Sequence, residues 1–528
     1  MLILQSVAYT HPNRDLLFSD INIVVNKHDK VALIGNNGAG KSTLLQIMAG
    51  SLLPSAGLVK TGSAPYYLPQ LFGQFNDLNV AQALGAENKL KALQEIMDGN
   101  MTDKNLAILD DDWTIEERCK EALLQWQLGH LDLAQKMDTL SGGQKTKVFL
   151  AGIAVNNPGI VLLDEPSNHL DILSRNILYD YINSTKDTLI IVSHDRKLLN
   201  LLNTVYELRK DGITAYGGNY DFYVEQKRIE NNALNDDVKN KEKALRKAKE
   251  IERESLERQQ KLDARGKKKQ EKAGLPTISM KTFKNNAEKT NARIKSTHAN
   301  KLNSISQELN ELRASMAGID KIKIDLDDPA FYKGKILIAA KDINYNYGAH
   351  FLWKDDLNFQ VNSGERIALK GPNGSGKTTL IKLILGELLP GKGTVERAEI
   401  KAIYIDQDYS LINNNLTVFE QAQLYNPGIL YEHEIKIRLN RFLFTKESWD
   451  KPCSALSGGE KMRLMLCCLT INNQSPGMLI FDEPTNNLDI QNIEILTAAI
   501  NDYNGAVLVV SHDEYFLEQI GIEKIIDL

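Results

Sequence analysis

At 528 residues the chain exceeds what one hydrophobic core sustains, roughly 250–300 residues, so two or three domains are expected. Apolar residues at 42% and charged residues at 25% exclude a wholly disordered chain, and apolar runs such as Leu189–Val192 and Val507–Val510 fall far short of the ~20 residues that cross a bilayer. The net charge of −5 is unevenly placed: Lys239–Lys301 holds 20 Lys and Arg against 8 Asp and Glu, a local +12 that leaves −17 for the remainder.

Met1–Thr10 has neither a basic leader nor a long apolar core. Cys119, Cys453, Cys467 and Cys468 form no C-x-x-C pair and suit reduced thiols. A cytoplasmic protein without a membrane domain is expected.

The first chemical signal follows the apolar run Val31–Ile34, which reads as a buried strand. Next come Gly35, Asn36, Asn37, Gly38, Ala39, Gly40, Lys41, Ser42 and Thr43, the pattern G-x-x-x-x-G-K-[ST]. Its glycines let backbone N–H groups wrap phosphates, Lys41 reaches the β- and γ-phosphates, Ser42 holds magnesium, and the following helix offers its positive end. Gln70, downstream of Lys41, is a candidate for the magnesium and water shell. Val161–Glu165, VLLDE, is an apolar strand ending in two acids: Asp164 would support magnesium and Glu165 would polarise the attacking water. His194, which follows the next apolar strand after Glu165, suits a γ-phosphate sensor. An acid pair or a histidine at a strand end is ordinary in isolation, and the placement behind Lys41 is what singles these out.

Each element then returns. Ile367–Leu369 precedes Gly371, Pro372, Asn373, Gly374, Ser375, Gly376, Lys377, Thr378 and Thr379, and Gln407, Asp482, Glu483 and His512 repeat the remaining set. His512 stands as far beyond Glu483 as His194 does beyond Glu165, an equality that a merely structural histidine does not require. LSGGQ at Leu140–Gln144 returns as LSGGE at Leu456–Glu460. The offset is 337 at the glutamines but 316 at LSGG, so the first half carries about 21 extra residues within 71–140. An arm-like surface insertion is expected there.

Between the repeats, Asp221–Arg265 has no Gly or Pro and abounds in strong helix formers, which predicts a long helix. Leu234, Val238, Lys241, Leu245 and Ala248 alternate steps of four and three, and Leu302, Ile305, Leu309, Leu312 and Met316 do the same, as in a coiled-coil seam. Two antiparallel helices are expected, with the turn in Gly266–Lys284, where Gly274 and Pro276 break the helix. Arg265, Lys267, Lys268, Lys269, Lys272, Lys281 and Lys284 cluster at this tip and, with Phe283, are candidates for RNA contact. Phe283 is the only Phe, Tyr or Trp between Val224 and Ala330, which favours recognition of RNA backbone and shape over base stacking.

These motifs resemble the ATP-binding-cassette superfamily, whose LSGG[QE] signature is carried by Ser141, Gly142 and Gly143 and by Ser457, Gly458 and Gly459. The resemblance implies that each signature completes the ATP site of the opposite cassette, pairing Lys41 with Ser457 and Lys377 with Ser141. It also implies an aromatic residue stacked on adenine: Tyr347 in the second half, with Tyr9 and His11 competing in the first. Two tandem cassettes, an insertion in the first and a charged helical linker are similar to the ABC-F proteins. The implied fold is α/β: two P-loop cassettes, 1–220 and 333–528, joined by an antiparallel helical linker, 221–332. The implied function is hydrolysis of ATP with Mg2+ by a monomer whose cassettes pair intramolecularly. Its partner would be the ribosome, with the cassettes at the exit site and the linker directed toward P-site tRNA, rRNA and the peptidyl-transferase centre. Either modulation of translation or protection from ribosome-targeting antibiotics would follow. The chain ends shortly after His512, so binding is expected not to depend on the basic C-terminal extension of some relatives. The competing readings are the ATPase subunit of a membrane transporter, which leaves the cationic linker without a role, and a DNA-repair or chromosome-associated ATPase. Deleting Gly266–Lys284 should leave basal ATP hydrolysis nearly intact and abolish any effect on translation; unchanged ribosomal activity would contradict the linker assignment.

Overall fold

The structure is a computed structural model that describes residues 1–70, 73–272, 292–293, 296–297, 299–313, 334–348, 350–472, 476–486 and 488–528. The chain divides into two compact units, Met1–Phe222 with Lys321–Leu528, and Tyr223–Asp320. Among the described residues no helix is long and apolar enough to cross a membrane.

In the larger unit each half of the chain builds a mainly parallel sheet and a smaller antiparallel one. The first parallel sheet runs Tyr66–Leu68, Ile160–Asp164, Thr188–Val192, Lys30–Ile34 and Thr204–Arg209, with Gly212–Tyr216 added antiparallel at the edge. The second runs Ala402–Ile405, Met478–Asp482, Ala506–Val510, Arg366–Lys370 and Lys524–Asp527, all parallel. The central strands are buried at nearly every position, as parallel strands covered on both faces must be, and this is why they read as unbroken apolar runs. Parallel register brings their carboxyl ends to one edge: Asp164 pairs with Val192 and Asp482 with Val510. The loops after these ends therefore share one rim, where ligands of open α/β sheets bind. The antiparallel sheet of Leu16–Val25, Leu2–Thr10 and Ala56–Thr61 encloses the phosphate-loop helix, with Phe18 and Ile21 in one core with Leu44, Leu45 and Met48.

The extra residues of the first half resolve into a helical pair. Val80–Ala83 corresponds to Val418–Leu424 and Ile115–Gln125 to Glu432–Arg441, which leaves Glu87–Met97 and Asp103–Leu109 without counterparts. Asn105, buried, donates from Nδ2 to Glu95 Oε2 at 2.7 Å, and Lys89 pairs with Asp112 at 2.9 Å, so the insertion has internal bonds of its own.

The helix Tyr220–Lys272 runs 53 residues, all but its first three in the smaller unit, where a second helix occupies 299–313. The expected seam is where side chains withdraw from solvent: Val238 and Leu309 are buried, and Leu234, Lys241, Leu245, Ala248, Leu302, Ile305 and Leu312 half-buried. Lys241 bonds to Glu308, and Arg313 to Glu242 at 2.5 Å, so the return segment packs back along the first helix. One expectation is corrected. Residues 266–272, placed in the turn, continue the helix. A single glycine in a helix interior costs only about 1 kcal/mol, and the lysines after it favour the helix. Met316 and the tip beyond Lys272 lie outside the described residues. Leu309→Ala should destabilise the paired helices by about 2–3 kcal/mol, read as lost hydrogen-exchange protection over Leu234–Ala248.

Candidate nucleotide sites

Both glycine-rich loops join a buried strand to a helix whose first residue is the lysine, Lys41 or Lys377. Gly40 and Gly376 cap these helices at φ +96°, and a Cβ on Gly40 would lie 2.7 Å from Leu17, so only glycine fits. Lys41 Nζ donates to Gly35 O at 2.7 Å and Lys377 Nζ to Gly371 O at 2.9 Å, which folds each ammonium over its loop. Burial lowers both lysine pKa values, opposed chiefly by Glu165 and Glu483 respectively. Tyr347 stands exposed beside the second loop, its hydroxyl 3.0 Å from Thr379 Oγ1.

The acids and histidines converge in the same way in both halves. His194 Nε2 lies 3.3 Å from Glu165 Oε1, and His512 Nε2 lies 3.3 Å from Glu483 Oε1. The glutamates sit at φ 52° and 48°, outside the normal range for a side-chain-bearing residue. Each is held there by its own N–H, which donates to Val192 O or Val510 O at 2.8 Å, in the strand that leads to its histidine. Burial first, then the adjacent Asp164, pushes the Glu165 carboxyl up to about 8, against the pull of Lys41. Burial raises Glu483 to about 7, with Arg175 the foremost opposing charge. Burial lowers both histidines, His512 to about 4, so both imidazoles are neutral at pH 7.

Gln70 and Gln407 lie two residues past the strands Tyr66–Leu68 and Ala402–Ile405, at the same rim as the acids. Two tyrosines in those strands are sites the motifs did not single out. Tyr404 donates to Asp482 Oδ2 at 2.9 Å, and Tyr67 with Ser42 lies against Asp164. Their signal was present, since Tyr67 and Tyr404 repeat at the glutamine offset of 337.

The two halves meet across these loops. Asn373 Nδ2 donates to His169 O at 3.3 Å, and a Cβ on Gly143 would lie 3.4 Å from the same nitrogen, so the second glycine loop abuts the first signature. From the other side, Asn37 N–H donates to Asp489 Oδ2 at 3.2 Å. The signatures themselves are capping boxes. Gln144 N donates to Ser141 Oγ and Ser141 N to Gln144 Oε1, and Ser457 with Glu460 does the same. The fifth letter of LSGG[QE] thus closes the turn that presents the helix N-terminus.

The site fits a magnesium nucleotide. Glu165 Oε1 and both Glu483 carboxylate oxygens are buried without an aligned hydrogen-bond donor, beside a glycine cradle and a lysine, Lys41 buried and Lys377 half-buried. Mg2+ binds through one or two carboxylates and keeps waters and phosphate oxygens in its shell, and Asp164 and Asp482 at the strand ends are the carboxylates that would serve it. Of the RNA-contact candidates, Arg265 is exposed on the first linker helix. The side chains of Lys267, Lys268, Lys269 and Lys272, and all of Lys281, Phe283 and Lys284, lie outside the described residues.

Residues 18–168 and 354–486 match the family described as ABC transporter. The chain is 30% identical to ABC transporter F family member 5 of Arabidopsis thaliana, over 97% of this chain and 72% of that protein. It is 29% identical to Ribosome protection protein VmlR of Bacillus subtilis, over 99% of this chain and 86% of that protein. Among solved structures it is similar in fold to the archaeal ribosome recycling factor aABCE1, at TM-score 0.62 and 18% identity, over 99% of this chain and 87% of that one.

A carboxyl whose pKa is raised stays protonated below that value and becomes a base only above it. With Glu483 near 7 and Glu165 near 8, kcat/KM for ATP hydrolysis should rise with pH across this window and then level. The limb of Glu483→Gln, left with the first site, should lie about one unit above that of Glu165→Gln. A limb near 4.5, the ordinary glutamate value, would contradict the burial argument.

Proposed function

Because the chain belongs to the ATP-binding-cassette family, as a tandem ATPase of the ABC-F type, we propose that it binds the ribosome in its ATP-closed form and acts there on translation. The observation that carries this reading is the 53-residue helix that starts at buried Tyr220 and holds much of the cationic stretch. Such a helix meets the phosphate backbone of folded RNA, whereas a transporter subunit has no use for it. The name of the Bacillus subtilis relative, a ribosome protection protein, supports the same partner. On this reading the cassettes occupy 1–220 and 333–528 of a cytoplasmic monomer, and the linker 221–332 reaches toward P-site tRNA and the peptidyl-transferase centre from the exit site. The outcome is modulation of translation or protection from antibiotics.

ATP lies on each glycine loop, under Lys41 or Lys377, with Tyr347 against the adenine of the second. Ser42, Asp164 and Gln70, and Thr378, Asp482 and Gln407, would hold magnesium, which would neutralise phosphate charge when bound. The signature of the opposite cassette, from Ser457 or Ser141, offers its helix N-terminus to the γ-phosphate. Glu165 or Glu483 then takes the proton of the attacking water as the new P–O bond forms and the bond to the leaving ADP oxygen breaks. His194 or His512, neutral and within 3.3 Å of the glutamate, keeps water and carboxylate in line. ATP joins the halves and hydrolysis releases them, so nucleotide state selects between closed and open populations.

The double variant Glu165→Gln with Glu483→Gln removes both bases and keeps the nucleotide contacts. It should sediment with ribosomes through sucrose in ATP but not in ADP. Failure to sediment at moderate salt, with ATP binding intact, would refute the ribosomal assignment.

A further inference from the structure

The two ATP sites match in loops, acids and histidines, yet one buried cation breaks the symmetry. Arg175, on the helix Ile172–Ser184, is 8% exposed. Its Nε donates to Leu170 O at 3.1 Å. Its Nη1 donates to His512 O in the other cassette at 3.3 Å and lies 3.8 Å from Asp195 Oδ2, which also accepts from the Tyr179 hydroxyl at 2.6 Å. Asp195 directly follows His194. One guanidinium thus spans from the residue after the first histidine to the carbonyl of the second. At the equivalent place in the second cassette, found by the same offset that relates the two histidines, stands Ile493, buried and unable to return the contact.

We propose that Arg175 is a positioning residue for the second ATP site alone, tying the Glu483–His512 pair to the first cassette so that apposition of the two halves sets the geometry of hydrolysis there. The inference rests on the assignment of Glu165 and Glu483 as the water-polarising carboxylates. The His512 carbonyl is the anchor, since holding that backbone holds the imidazole against Glu483. Charge acts in the same sense. Glu483 is faced by Arg175, Asp482, Lys377 and His512, whereas Glu165 is faced by Asp164, Lys41, His194 and Asp195. Beyond the P-loop and its acids, the charge that acts on the glutamate is therefore a cation at one site and an anion at the other. Arg175 also helps offset Asp195 and Asp513, which repel each other. It lines a cavity of about 290 Å³ with Asp195, Arg196, His512 and Asp513, so a lysine has room at this position.

The test measures ATP hydrolysis one site at a time, with Glu165→Gln leaving the second site and Glu483→Gln leaving the first. Adding Arg175→Ile should lower second-site kcat roughly ten-fold, with KM for ATP changed less than about two-fold. First-site kcat should change less than about two-fold, and Arg175→Lys should restore most of the second-site rate. Equal losses at both sites, no loss at either, or a loss that lysine does not restore would overturn the proposal. If Glu165→Gln and Glu483→Gln each hydrolyse as fast as the unaltered protein, the carboxylate assignment fails before Arg175 is touched, and the proposal falls with it.

Discussion

Each cassette is organised around a glutamate whose backbone is strained and whose carboxyl group keeps at least one buried oxygen without an aligned donor. A side-chain-bearing residue at φ near +50° costs on the order of 1–3 kcal/mol, and burying an unpaired carboxyl costs more, so neither persists unless the surroundings over-determine it. Here the determining element is the central parallel sheet. The register that pairs Asp164 with Val192 and Asp482 with Val510 lets each glutamate N–H reach the next strand's last carbonyl, and the histidine two residues further meets the carboxylate. The same burial that raises the glutamates lowers the histidines, so near neutral pH the pair meets as a neutral imidazole beside a carboxyl that releases its proton only as the pH rises.

What the cassettes share at the rim they do not share at their boundary. Arg196 pairs with Glu494 at 3.0 Å and lies over the Tyr515 ring at 4.5 Å, while Lys197 meets Glu514 at 3.1 Å. The Lys197 pair is about half exposed and adds little stability, but Arg196 is largely covered. Its guanidinium also lies 5.9 Å from the ring of Tyr220, and Asp221 N–H donates to Asn200 Oδ1 at 2.9 Å. The first turn of the long linker helix is therefore built into the segment that follows His194. The boundary between the cassettes and the first turn of that helix therefore share Arg196, which touches Glu494, Tyr515 and Tyr220.

Local chemistry made much of this legible in advance. A glycine loop needs a strand before it and a helix after it, and Val31–Ile34 and Ile367–Leu369 announced those strands by their unbroken apolar runs. The seam of the linker was visible because helical period alone decides which side chains share a stripe, down to Lys241 among apolar neighbours. Where the helix would end was not visible in the same way. The expected turn opened at Gly266, but a single glycine is a small penalty against a run of helix-forming lysines, and 266–272 stay helical.

The amino-acid sequence by itself determined that there are two phosphate loops, two acid pairs and two histidines in matched order, and that about 21 residues are inserted into the first half alone. These follow from spacing and stereochemistry, which act over a few residues. Only the tertiary structure decided that Asn373 meets His169, that Tyr67 and Tyr404 lie against the acids, and that Arg175 spans to His512 where Ile493 cannot reach back. Arg175 and His512 are 337 residues apart, and a contact at that separation leaves no periodicity or motif in the chain; it exists only once the two sheets have brought their rims together.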